Sequence, residues 1–207
     1  MLNDIQKELI EYGKISGSKG YTPGISGNMS CRFDDGIVIT ASGSANGYLS
    51  ENDFSVVDMD GKLVGGNTKP SSERFLHLEF YKQRPDVNCV LHFHSPYLTA
   101  FASANVDLND AVSPEIVYCF GKIPLAHYSI PGSEELVEKT SKFFKEYDVI
   151  FMANHGVIVG GRNIKETYLK LELVEEYAKT ILFTKLLGGA KILPEGEVEK
   201  IYSLRKQ

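Results

Sequence analysis

The chain has 207 residues, 43 % hydrophobic and 24 % charged, with 22 Lys and Arg against 27 Asp and Glu for a net charge of -5. That length and balance suit one globular domain with a sizeable core. No basic run supplies the electrostatic footprint of nucleic-acid binding, no apolar run approaches the length of a membrane span, and the scattered Cys31, Cys89 and Cys119 argue against a disulfide framework.

The opening MLNDIQKELIEYGK is amphipathic and acidic from its fourth residue, unlike a signal peptide. The expectation is a single cytosolic domain over 1–207, with the cysteines as reduced core thiols. Leu2, Ile5, Leu9 and Ile10 mark one face of a first helix, which Asn3 or Asp4 can cap. SCRF-DDG-IVIT predicts a hairpin turning at Asp35-Gly36, and FSVVDM-DG-KLVGG repeats the signature at Asp60-Gly61. SSERFLHLEFYKQR has helical periodicity over 71–83, NCVLHFH reads as a strand, and SPYLTAFASA as a short helix. Ser133 precedes a capped helix, EELVEKTSKFFKEY, and DVIFMANHGVIVGG reads as two strands about a turn at Asn154 to Gly156. Residues 164–187 form the longest helical pattern, closed by Gly188-Gly189, and a charged piece from Pro194 suggests a last helix. Hairpins mixed with helices, without regular alternation of strand and helix, predict an α+β sandwich rather than a doubly wound parallel sheet.

Two of the five histidines, His92 and His94, fall on the strand NCVLHFH. Residues two apart on a strand share a face, so both imidazoles can reach one metal ion. An isolated H-x-H is more often a pair of half-buried, hydrogen-bonded histidines, so a third ligand has to be found. His155, beside Gly156 at a strand end, supplies one and completes an open three-nitrogen set of the kind catalytic zinc needs. His77 lies four residues after Glu73 on one helical face, where it either supports the site or packs; His127 reads as structural.

Three segments cluster small residues: GISGNMS (24–30), TASGS (40–44) and KPSSE (69–73). Each alone is ordinary turn chemistry. Ser71 and Ser72, however, stand where the helix over 71–83 should begin, and free N–H groups at a helix start favour a phosphate. Capping of that helix explains the serines equally well.

Taken together, GISGNMS, ITASG, KPSSE, LHFH and NHG resemble, in order and spacing, the class II aldolase/adducin family, most closely its zinc-dependent aldolases of L-fuculose 1-phosphate. The resemblance implies a three-layer α/β/α sandwich with a central, mostly antiparallel sheet flanked by helices. It implies Zn(2+) on His92, His94 and His155, with Glu73 as the acid/base, also able to touch the metal when no substrate is bound. It implies a substrate phosphate on Asn28, Ser42, Gly43, Ser71 and Ser72, with Gly27 shaping the first loop. The expected substrate is L-fuculose 1-phosphate or a related pentulose or deoxypentulose phosphate, split to dihydroxyacetone phosphate and an aldehyde. A homotetramer with sites near subunit contacts is also implied. Related aldolases take a tyrosine from a neighbouring subunit; Tyr118 and Tyr128 lie nearby without matching its position. The same histidines serve methylthioribulose-1-phosphate dehydratases, the main alternative, as well as sugar-phosphate 4-epimerases and some decarboxylases. The epimerases resemble PSSD where this chain has PSSE, and adducin-like interaction modules lack the metal ligands.

Overall fold

The computed structural model describes residues 2–66 and 68–205. Strands β1 (Asn28–Phe33) and β2 (Gly36–Thr40) form the first hairpin, pairing Phe33 with Gly36. Its turn is Asp34-Asp35 rather than the expected Asp35-Gly36. Asp34 takes the left-handed φ of 47° that a short polar side chain tolerates, and Gly36 is already in the ladder. Strands β3 (Phe54–Asp58) and β4 (Leu63–Gly65) form the second hairpin. Strands β5 (Cys89–Phe93), β6 (Leu125–Ala126), β7 (Val149–Met152) and β8 (Gly156–Gly161) complete one sheet in the order β4-β3-β2-β1-β5-β8-β7-β6. Every neighbouring pair is antiparallel except β6 with β7.

Period-two alternation then dictates two cores. Met29, Cys31, Cys89, Leu91, Phe93, Val157 and Val159 point to one face. There they pack with α1 (Leu2–Ser18), α3 (Pro96–Ala104), α4 (Pro114–Cys119) and the long α6 (Ile164–Leu186). Ile37, Ile39, Val57, Val90, Ile150 and Ile158 point to the other, against α2 (Arg74–Gln83) and α5 (Glu134–Ser141). The result is the α+β three-layer sandwich. A last helix, α7 (Glu195–Leu204), rests on α4. Among the described residues no helix is long and apolar enough to cross a membrane.

Two local expectations are corrected. Helix α2 begins at Arg74 instead of residue 71, because the Ser71 hydroxyl accepts the Glu73 N–H at 3.2 Å and folds 71–73 into a turn. Cys119 is exposed rather than a core thiol, since α4 turns Ile116 and Val117 inward instead; Cys31 and Cys89 are buried as expected. His127, read as structural, is exposed just past the end of β6.

Candidate functional site

The centre of the sheet brings distant segments to one end. Asn28 opens β1 and pairs with His92 of β5, which in turn pairs with Ile158 of β8. His94 lies one residue past β5, and His155 sits in the turn between β7 and β8. The three imidazole rings have centroids 4.6–5.1 Å apart, and one nitrogen from each lies within 4.8 Å of the others. The His92 Nδ1–H donates to the Val157 carbonyl at 3.0 Å, which turns Nε2 toward the shared centre.

Glu73 enters from the opposite layer. Standing at the N-cap position of α2 without capping it, its side chain reaches the histidines. Oε2 lies 3.2 Å from His92 Nε2 and Oε1 3.3 Å from His155 Nε2, while Asn28 Nδ2 donates to Oε2 at 2.9 Å. Two glycines permit this crowding. A Cβ on Gly27, whose φ is +75°, would meet the His92 carbonyl at 2.5 Å. One on Gly156 would meet the Phe93 carbonyl at 2.5 Å and the His94 ring at 2.9 Å.

The electrostatics follow from burial and proximity. Burial opposes ionisation of Glu73, yet His92, then His155 and the Asn28 amide, hold its carboxyl well below the usual range. Burial likewise works against charge on His92, but Glu73 outweighs it and raises that pKa. His94 is lowered to about 3 and His155 to about 4, by burial first and by the His92 charge second. The Glu73 carboxylate thus favours a proton on His92, while burial keeps His94 and His155 neutral.

These residues fit a divalent metal. Two nitrogens on one tetrahedral ion stand about 3.4 Å apart at ordinary metal–imidazole bond lengths of about 2.0–2.1 Å. Here His92 Nε2 and His94 Nε2 are 3.0 Å apart. Glu73 Oε1 is buried without a hydrogen-bond partner and faces the same centre. Neutral imidazoles and one carboxylate are a donor set suited to zinc and its neighbours in the first transition row.

His77 stays outside this set. Its Nδ1 lies 2.7 Å from Ser30 Oγ, which lies 2.8 Å from the Tyr81 hydroxyl, and burial pushes its pKa down to about 3. It is a buried neutral group one helical turn after Glu73 and bonded to Ser30, which is the packing role of the two the sequence left open.

The small-residue segments gather beside Glu73. Ala41 bridges Pro70, and the Ser42 N–H donates to the Lys69 carbonyl at 2.8 Å, so 41–43 and 69–73 run together. Met29 N–H to Thr40 Oγ1, at 3.1 Å, ties in the first segment. Ser42, Gly43 and Ser72 are exposed, whereas Asn28 and Ser71 are buried with Glu73. Among the described residues no hydrogen bond uses the Gly43 or Ser72 N–H.

One residue escaped the sequence reading. Glu175, 1 % exposed, accepts hydrogen bonds from Ser95 Oγ, Tyr97 N and Leu98 N just after His94. Its only sequence signal is position: it falls on the apolar stripe Leu171, Val174, Ala178 of α6.

Residues 7–182 match the family described as Class II Aldolase and Adducin N-terminal domain. The chain is 39 % identical over 204 residues to a 3-oxo-tetronate 4-phosphate decarboxylase of Haemophilus influenzae, covering 95 % of each protein. It is 34 % identical over 203 residues to a 5-deoxy-D-ribulose 1-phosphate aldolase of Bacillus thuringiensis, covering 97 % of this chain and 95 % of that one. A solved L-fuculose 1-phosphate aldolase superposes with a TM-score of 0.90 at 30 % identity, over 99 % of this chain and 97 % of that one.

Proposed function

The chain belongs to the class II aldolase and adducin family of lyases, and on that footing we propose that it is a single-domain carbon–carbon lyase releasing dihydroxyacetone phosphate from a phosphorylated ketose. The observation that carries this reading is the approach of Glu73 to His92 and His155, at 3.2 and 3.3 Å, beside three segments rich in Ser, Gly and Asn.

The named substrates of the relatives share one half. A ketose 1-phosphate and a 3-oxo-tetronate 4-phosphate both contain phosphate, methylene, ketone and hydroxymethine carbons in sequence. Cleavage beyond the hydroxymethine carbon leaves the same enediolate, with an aldehyde departing in one case and carbon dioxide in the other. A site that grips the shared half serves either reaction.

His92, His94 and His155 would hold the ion, which we take to be zinc, with Glu73 able to join them when no substrate is present. When bound, the ion supplies a Lewis acid for the ketone and hydroxyl oxygens of the shared half. Asn28, the Ser42, Ser71 and Ser72 hydroxyls and the Gly43 and Ser72 N–H groups bind the phosphate, with Gly27 shaping the cradle's first loop. Anchoring there, away from the reacting carbons, orients the bond to be broken. Glu73, whose neighbours favour its ionised form, takes the proton from the hydroxymethine carbon in the direction of condensation and, once protonated, returns it to that carbon in the direction of cleavage.

The leaving half distinguishes two readings. Release of an aldehyde requires a group to accept the neighbouring hydroxyl proton, and the exposed Tyr118 and Tyr128 are the candidates, lent across a subunit contact. A homotetramer supplies such a contact, and the exposed Leu182, Phe183, Leu186 and Leu187 at the end of α6 favour assembly. Loss of carbon dioxide needs no such acceptor, which makes decarboxylation of a 3-oxo sugar-acid phosphate the second reading. The dehydratase alternative keeps the carbon chain whole. The expected setting for all three is the cytoplasm.

Mass spectrometry of products from L-fuculose 1-phosphate, 5-deoxyribulose 1-phosphate and 3-oxo-tetronate 4-phosphate separates them. Dihydroxyacetone phosphate with an aldehyde is the expected result; the same phosphate with carbon dioxide selects the decarboxylase. A product one water lighter than substrate would refute both. The phosphate cradle has its own test. The Ser71→Ala/Ser72→Ala double variant should lose affinity for a ketose 1-phosphate far more than for the unphosphorylated sugar, at roughly 1.5–3 kcal/mol per lost bond to a charged group. Equal weakening of both would mark a damaged helix start instead.

A further inference from the structure

We propose that Glu175, on α6, is a positioning residue for the candidate metal ligand His94. The three histidines are not restrained alike. His92 lies within β5 and its Nδ1–H is tied to the Val157 carbonyl at 3.0 Å. His155 has no hydrogen bond at its Nδ1 among the described residues, but it sits within the β7–β8 turn, where its backbone N–H donates to the Met152 carbonyl at 3.0 Å. His94 has left the ladder, is only half-buried, and among the described residues no hydrogen bond reaches its Nδ1. Imidazole ligands are ordinarily oriented through the second ring nitrogen. Lacking that, His94 depends on its backbone.

The backbone is clamped from the next residue onward. Glu175 Oε2 accepts from Ser95 Oγ at 2.8 Å and from Leu98 N at 2.9 Å, and Oε1 accepts from Tyr97 N at 2.9 Å. Ser95 occupies the N-cap position of α3, yet its own side chain caps nothing. A carboxylate from another helix has taken over that task. Burying it costs free energy, offset by three hydrogen bonds and by the positive end of the α3 dipole. A serine cap would satisfy the helix at less cost. What the carboxylate adds is a rigid tie between α6 and the residue bonded to His94.

This inference rests on the three-histidine centre proposed above. The test measures zinc affinity by chelator competition, and the melting temperature of the metal-free protein, for wild type, Glu175→Gln and Asn163→Ala. Asn163 Oδ1 accepts the Glu166 N–H at 2.9 Å, so its loss uncaps α6 far along the helix from Glu175 and provides a destabilised control. In Glu175→Gln the amide nitrogen must face a backbone N–H in either orientation. The zinc dissociation constant should rise ~10-fold or more in Glu175→Gln, the range found when a ligand's supporting group is lost, and stay unchanged in Asn163→Ala. A lower melting temperature with unchanged affinity in Glu175→Gln would make Glu175 a helix cap and nothing more. Should that variant not fold, Ser95→Ala removes one bond of the clamp: weaker zinc binding supports the inference and unaltered binding overturns it. Wild-type protein that takes up no zinc would refute the metal centre itself, and this inference with it.

Discussion

Glu73→Gln should lower dihydroxyacetone phosphate release by ~10²-fold or more, with phosphorylated ligands still binding. Glutamine keeps the size and polarity of the side chain and still accepts from the Asn28 amide, which donates at 2.9 Å in the wild type. It cannot exchange a proton near neutral pH. Because Glu73 also faces His92 and His155, metal content must be measured alongside turnover. Slow turnover at full metal occupancy identifies Glu73 as the acid/base. Near wild-type turnover would reduce Glu73 to a residue of the turn before α2.

The second large effect is on metal content. Purified wild-type protein should hold about one divalent ion per chain, as a three-nitrogen site with an open position does. His94→Ala should lose the ion and turnover with it; equal metal in both proteins, by elemental analysis, would remove His94 from the centre. The binding should also depend on pH in a direction that the cluster dictates. In the metal-free protein Glu73 raises the pKa of His92, so the ring stays protonated to higher pH than a free imidazole. Metal has to displace that proton. Affinity should therefore fall as pH drops through the raised His92 pKa, and metal uptake near neutral pH should release protons into a weakly buffered solution. Glu73→Gln removes the partner that raises His92, so the same fall should move to lower pH.

Much of this was legible in the chain because apolar runs and period-two spacing report directly on a buried sheet. IVIT and VIFM, short continuous apolar runs, declared strands buried on both faces, and the His92-Phe93-His94 spacing declared two side chains with a common destination. The third histidine of the cluster was legible through Gly156, which marks a place where backbone runs against backbone. Other parts had no signal of that kind. Helix α4 has six residues and β6 two, too few for any periodicity to show. The start of α2 was misjudged by three residues because serine serves a cap and a tight turn by the same hydrogen bond. Glu175 was invisible for a different reason. Its partner Ser95 is 80 positions away, so only the folded chain shows what the carboxylate is for.

The ladder joining β1, β5 and β8 has a consequence for how the protein matures. Asn28 pairs with His92 and His92 with Ile158 through main-chain bonds that owe nothing to an ion. The carboxylate of Glu73 meanwhile offsets the charge of His92. Folding can thus finish before metallation, unlike a zinc finger, whose chain stays open until the ion arrives. If the three histidines hold a metal as proposed, the finished pocket would accept whichever divalent ion competes best for imidazole in its surroundings. On the proposed reading, the metal supply met after synthesis would then select the ion that fills the pocket.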